Sequence, residues 1–172
     1  MPKRRMKRHS VTQPLNKSYR LIPLTKGQNA IVDARKFEHL SQWNWYASWN
    51  RDTKSFYARR TNEEHRHVWM HHVVLGISSK KRGDHKNHNT LDNRIDNLRK
   101  CTNSQNHQNQ RKRENKKYKG TTWHKVVKRW AATICSKRRR KHLGYFISEE
   151  AAARAYDAAA SKLFGKFACL NC

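Results

Sequence analysis

The sequence contains no apolar run approaching the ~20 residues that a bilayer-spanning helix requires. A helical membrane protein is therefore not expected. The first ten residues are basic and no apolar stretch follows them, so no secretory leader is expected either. Both absences point to a soluble, intracellular protein with no membrane partner. Carboxylates are scarce: 12 Asp and Glu stand against 39 Lys and Arg, a formal net charge of +27. That imbalance says nothing about fold but calls for a polyanionic partner, because each phosphate neutralised by Lys or Arg releases condensed counterions. Paired cysteines are scarce too. Only Cys169 and Cys172 form a C-x-x-C pair, while Cys101 and Cys135 stand alone. A structural zinc site needs four ligands, so reduced, unpaired thiols are expected.

What remains is unusual in so polar a chain: six Trp, six Tyr and five Phe. A disordered basic tail lacks such residues, so a small folded core built around aromatics is expected. Three zones follow. Residues 1–20 carry Lys3, Arg4, Arg5, Lys7, Arg8, Lys17 and Arg20 with no acidic residue. They read as a flexible arm that tracks phosphates, or as a solvated tail. Pro2-Lys3-Arg4-Arg5 also fits a nuclear localisation pattern.

Residues 21–110 read as a mixed α+β domain. Leu21, Ile22 and Leu24, the Lys26-Gly27 turn and Ala30-Ile31-Val32 predict a hairpin. Asp33 is expected to cap a short helix reaching Ser41, with Phe37 and Leu40 on one side. Residues 43–49 and 56–60 predict two strands joined by a polar turn. Residues 68–76 predict a short helix or a strand-helix junction ending at Gly76. A stretch rich in Asn, Asp and His follows, and Thr102 is expected to cap a polar helix running towards Lys112.

Residues 111–117 are a charged linker. Residues 118–172 predict three antiparallel strands and one helix. Trp130, Ala132 and Ile134 alternate with Ala131, Thr133 and Cys135. Residues 119–125 and 141–146 flank them. Ser148 caps a helix that opens on Glu149 and Glu150, stops at Gly165 and carries the stripe Ala152, Ala155, Tyr156, Ala159, Leu163. If that helix covers one sheet face, the other carries Thr122, His124, Thr133, Cys135, Arg140 and His142, with Lys119 and Arg129 at its edges. A basic, polar sheet face of this size suits the major groove of double-stranded DNA. Arg138-Arg139-Arg140-Lys141 adds to its charge.

Five segments here, taken in order, closely resemble the ethylene-response-factor (APETALA) domain. They are Tyr118-Lys119-Gly120-Thr121-Thr122-Trp123, Trp130-Ala131-Ala132-Thr133-Ile134, Leu143-Gly144-Tyr145-Phe146, Glu150-Ala151-Ala152-Ala153-Arg154-Ala155-Tyr156-Asp157-Ala158-Ala159, and Phe164-Gly165-Lys166-Phe167-Ala168-Cys169-Leu170-Asn171. The resemblance implies a sheet laid in the major groove. It implies DNA contacts from Lys119, Gly120, Thr122, His124, Thr133, Cys135, Arg140, His142 and Tyr156. Arginines are usual where this sequence has Thr122, His124 and Cys135, so the docking mode is expected and the plant family's sequence preference is not.

The first domain carries the chemistry. Gly83-Asp84-His85-Lys86-Asn87-His88-Asn89, Asp92-Asn93-Arg94-Ile95-Asp96-Asn97-Leu98-Arg99 and Thr102-Asn103-Ser104-Gln105-Asn106-His107-Gln108-Asn109 place a carboxylate beside a histidine, with amides after them. Phosphodiester hydrolysis needs a water, a base and a cation for the leaving oxygen. Histidine titrates near neutrality, and Asp and Asn oxygens suit Mg2+ or Mn2+. On an extended strand adjacent side chains point to opposite faces, so Asp84 can hold metal while His85 faces the phosphate.

The ordered set resembles the HNH endonuclease motif, a strand-strand-helix unit gripping one divalent metal. Ile22-Pro23-Leu24-Thr25-Lys26-Gly27, Val32-Asp33, Trp43-Asn44-Trp45-Tyr46-Ala47, Tyr57-Ala58-Arg59 and Met70-His71-His72-Val73-Val74-Leu75-Gly76 resemble phage and bacterial HNH homing-type nucleases. In that group a C-terminal ethylene-response-type domain recurs. The resemblance implies His85 as general base and Asp84 and Asn106 as metal ligands. It implies that Asn97 fixes the loop and the His85 ring. His71 is a weaker candidate for a structural or phosphate contact. His88 stands where Gly is common, and His72 where Arg is common; His107 and Asn109 lie close to Asn106 on one helix.

The expectation is a monomeric, metal-dependent endonuclease that nicks DNA, cytoplasmic in a bacterial or phage-infected host cell. The alternatives are a DNA-binding regulator with an inactive nuclease unit and a basic RNA-binding or ribosome-associated protein. No RNA-recognition motif supports the last.

Overall fold

The computed structural model describes residues 9–15 and 18–171. Lys3, Arg4, Arg5, Lys7, Arg8 and Lys17 of the expected arm, and Cys172, lie outside the described residues. The fold is α+β, with four small antiparallel sheets and four α-helices among the described residues. The chain forms two compact units, and the division falls between Cys101 and Thr102. The sequence reading placed it at residues 111–117.

The first unit opens with strands β1 (Tyr19–Pro23) and β2 (Asn29–Asp33), paired as the expected hairpin. Its turn holds Lys26 and Gly27 at φ of 59° and 66°. Arg20, assigned to the arm, belongs to β1. Residues 9–15 are also fastened: Gln13 bonds both the N–H and the C=O of Leu21 at 2.9 Å, and His9 meets Asn29 at 2.9 Å. Helix α1 (Ala34–Ser41) follows. Asp33 sits at its N-cap but makes no capping bond; its carboxylate accepts from the Ile95 N–H at 2.8 Å instead.

Strands β3 (Tyr46–Asn50), β4 (Ser55–Thr61) and β5 (His67–Trp69) form a meander. Trp43 and Trp45 precede the sheet rather than opening it. Trp45 is fully buried, with its indole N–H satisfied by Leu40 O at 2.7 Å. β5 runs directly into α2 (Met70–Leu75), which ends at Gly76 in the left-handed conformation, the expected strand-helix junction. The core gathers Leu24, Val32, Leu40, Trp45 and Met70. β6 (Arg82–His85) and β7 (Leu98–Cys101) close the unit as an antiparallel pair, and a 3-10 turn at Ile95–Asn97 leads into β7.

The second unit begins with α3 (Asn103–Gln108), shorter than expected. Thr102 and Gln105 make a reciprocal capping box. β8 (Thr121–His124), β9 (Arg129–Ser136) and β10 (Arg139–Phe146) form the sheet, with β9 central. Helix α4 (Glu149–Phe164) covers one face, capped by Ser148 Oγ accepting from Ala151 N–H at 3.1 Å. Its buried stripe is Ala152, Ala153, Tyr156, Ala160 and Phe164. Leu163, expected inside, is 49% exposed, because Phe164 supplies the last anchor against Ile134 and Tyr156. Cys101, Cys135 and Cys169 are free thiols.

Candidate active site and nucleic-acid interface

β6 sets Asp84 and His85 side by side with opposite orientations. Asp84 lies opposite Arg99 in the β6–β7 register. The guanidinium donates to Asp84 Oδ2 through Nε and Nη2, each at 2.7 Å, and both side chains are largely buried. Asp84 is a hard oxygen donor of the kind that Mg2+ or Mn2+ prefers. A carboxylate can serve an arginine through one oxygen and a metal through the other.

His85, 5% exposed, meets aromatic rings instead. The His71 ring stands edge-on at 5.0 Å and the Tyr57 ring at 6.0 Å between centroids. Tyr57 and Trp69 also contact His71. Burial pushes the His85 imidazole down to about 4, against the opposing effects of a hydrogen bond with Asn93 and the charges of Asp84 and Asp92. His85 is therefore neutral at neutral pH, the form that can take a proton. Burial also holds His71 well below the ordinary histidine range, followed by repulsion from His85 and His72. Its Nδ1 has no hydrogen-bond partner. Gly83 leaves room for this packing: a Cβ there would stand 2.8 Å from His71 Cδ2.

The loop between β6 and β7 is closed by Asn97. Its backbone C=O accepts from Lys86 N–H at 2.9 Å and its Oδ1 from Asn87 N–H at 3.0 Å. Its Nδ2 donates to Asp92 C=O at 2.8 Å. Asn97 thus bonds the loop shut, while Asn93 is the amide side chain whose presence favours protonation of His85. Asp92, 1% exposed, accepts from Arg94 Nε at 2.8 Å, Arg94 Nη2 at 2.7 Å and Asn87 Nδ2 at 3.0 Å. Burial alone would raise its carboxyl, but these bonds outweigh it and hold the group low. Backbone bonds between Ile31 and both Leu91 and Asn93 tie the same loop to β2. His88 adopts φ of 63°, a left-handed conformation that favours glycine.

The structure therefore brings Asp84, His85, Asn97 and His71 into one neighbourhood. Asn106, the other expected ligand, lies half-buried on α3 in the second unit; His107 is exposed on the same helix, and the buried Asn109 is its C-cap. Among the described residues no three His, Cys, Asp or Glu side chains converge as a metal-holding group. Sequence reasoning missed Tyr57, Asp92, Asn93 and Arg99 as parts of the site. The last three stood in the polar stretch, but only tertiary contacts give them roles.

In the second unit, register places Thr122, His124, Arg129, Thr133, Cys135, Arg140 and His142 on the face opposite α4. Tyr145 joins them, because a bulge between His142 and Gly144 shifts the alternation by one residue. Its ring stands 4.6 Å from His142 and 5.2 Å from His124, over the small Ala131. Three of the expected contacts also have structural duties. The Lys119 ammonium donates to the carbonyls of Gln108 at 3.0 Å and Gln110 at 2.6 Å, and burial lowers its pKa. Gly120 and Tyr156 pack on each other, since a Cβ on Gly120 would meet the Tyr156 ring at 2.1 Å. Burial pushes the Tyr156 phenol up to about 12, with Cys169 and Asp157 adding to it.

No helix among the described residues is long and apolar enough to cross a membrane. No family model matches the chain, and neither a curated protein nor a solved structure matches it.

Proposed function

We propose that this chain is an HNH-type DNA endonuclease whose second unit reads duplex DNA through its sheet face. The observation that carries the reading is a neutral, buried His85 beside Asp84, on a hairpin whose loop Asn97 bonds shut. On this reading β6 and β7 are the two strands of the motif. His85 takes a proton from a water, whose oxygen bonds to phosphorus as the bond to the 3′ oxygen breaks. The leaving oxygen acquires a proton, giving 5′-phosphate and 3′-hydroxyl ends. Asp84 would hold Mg2+ or Mn2+, whose charge would stabilise the leaving oxygen. Arg99 orients the Asp84 carboxylate.

One observation favours a second reading. Arg99 already neutralises Asp84 in a buried pair, as a DNA-binding regulator with an inactive nuclease unit would allow. Supercoiled plasmid incubated with Mg2+ or Mn2+ separates the two. Nicking by the wild type and none by His85→Ala, with DNA binding kept in both, is the nuclease outcome. Tight binding by both with no nicking by either is the regulator outcome.

A further inference from the structure

The meander β3-β4-β5 turns one face to the core through Ala47, Ala58, Phe56 and Arg60. Its other face has a different character. Tyr46, Arg59 and Trp69 lie opposite one another across the three strands, and Ser48 lies opposite Tyr57 on the same face. None of these five belongs to the core cluster. The Arg59 guanidinium lies 5.4 Å from the Tyr46 ring and 5.3 Å from the Trp69 ring, between the two side strands. Its Nε donates to the Tyr46 hydroxyl at 2.8 Å, and Nη2 meets His67 Nε2 at 3.3 Å. Among the described residues no carboxylate pairs with Arg59, unlike Arg66, Arg94 and Arg99. Tyr57, its neighbour on this face, contacts Trp69, His71 and His85.

We propose that this face is a track for the DNA backbone, in which Arg59 grips a phosphate of the strand that reaches His85. The inference rests on the nuclease reading for its catalytic end only. A guanidinium set between two rings loses little freedom on binding, and its Nη1 is left for a phosphate oxygen. Two rings and a neutral hydroxyl leave its charge uncompensated, which suits an anion. Contiguous rings from Trp69 through Tyr57 to His85 place the grip beside the candidate base. A contact of this kind fixes register and carries no sequence preference.

The test uses the full chain and duplex DNA in EDTA, with the dissociation constant followed against salt. Arg59→Gln is expected to weaken binding roughly fivefold at physiological salt and to lower the log–log salt slope by about one. In Mg2+ it should raise KM for nicking by a similar factor and leave kcat near the wild-type value. Arg66→Gln, which removes an exposed charge in the same unit, should behave as wild type. Ser48→Glu covers the case where Arg59→Gln fails to fold: a carboxylate on this face should weaken binding at least as much. Unchanged affinity and slope in Arg59→Gln or Ser48→Glu overturns the track, as does an equal loss in Arg66→Gln. A wild type that binds without cutting sinks the nuclease reading, while the EDTA measurements still decide the track.

Discussion

Replacing Gly120 by alanine tests the structural duty of a residue that the family resemblance assigns to DNA. Gly120 has φ of +82°, and a Cβ there would lie 2.1, 2.6 and 2.8 Å from the Tyr156 Cδ2, Cε2 and Cγ atoms. Tyr156 is 5% exposed and packs with Ile134, Ala160 and Phe164, so the ring has little room to retreat. Two costs add. A left-handed backbone costs alanine ~1–2 kcal/mol. Overpacking a filled core costs ~1–3 kcal/mol. Gly120→Ala should therefore destabilise the second unit by about 2–5 kcal/mol. Tyr156→Ala removes the obstructing ring at its own cost of ~3–5 kcal/mol. In that background Gly120→Ala should cost only the backbone part, a coupling of ~1–3 kcal/mol between the two sites. Urea unfolding of the full chain, followed by NMR amide signals from β8 to α4, isolates this unit's transition. Equal costs of Gly120→Ala in both backgrounds would refute the packing argument. So would an alanine variant of wild-type stability that binds DNA poorly.

Acid should destabilise the first unit through His85. Its folded pKa of about 4 lies below the unfolded value of 6.5, so the unfolded chain binds the proton first. The stability it contributes, about 3 kcal/mol, is complete above pH 6.5 and is lost as the pH falls towards 4. His71 acts in the same direction. Urea midpoints at pH 7 and pH 5 should differ less in His85→Gln than in the wild type; an identical difference contradicts the burial argument. Asn97→Ala strands the Asn87 N–H and the Asp92 C=O, costs ~2–4 kcal/mol and should speed hydrogen exchange at Asn87. Unchanged exchange there would show that the loop closes by other means. Arg99→Met leaves the Asp84 carboxylate buried without its cation and should cost ~3–5 kcal/mol. Mn2+ should restore part of that stability by binding the folded form. A thermal midpoint indifferent to Mn2+ would argue against Asp84 as a metal ligand.

Local order was legible in the sequence. The β1–β2 hairpin followed from apolar runs around Lys26-Gly27, and the caps at Thr102 and Ser148 from residue type. The sheet face turned away from α4 followed from simple alternation along β8 and β9. It failed at Tyr145, because a bulge at Leu143 resets the parity and leaves no mark in the pattern. Asp33 shows a different failure. An aspartate before a helix predicts a cap, but a backbone donor 62 residues away competes for it. Lys119, Gly120 and Tyr156 were assigned by resemblance, and position alone does not separate a residue that touches a ligand from one that supports its neighbours. The pair Asp84 and His85 was visible, whereas Arg99, Asn93 and Tyr57 enter the site only through strand register and packing.

Lys119 closes the C-terminal end of α3 with its ammonium, and Asn171 in turn brackets Lys119 by bonding its N–H and C=O while also binding Asp157. The helix and the chain's last described residue are thus bolted to the same point, the entrance to β8. This sets the size of the transferable module. A graft beginning at Tyr118 would carry the sheet but leave behind the helix end whose carbonyls Lys119 holds, with its ammonium unanswered. The portable piece runs from Thr102 to Asn171, and Asn106 travels inside it. A swap of this module would therefore carry the candidate ligand Asn106 along with the sheet.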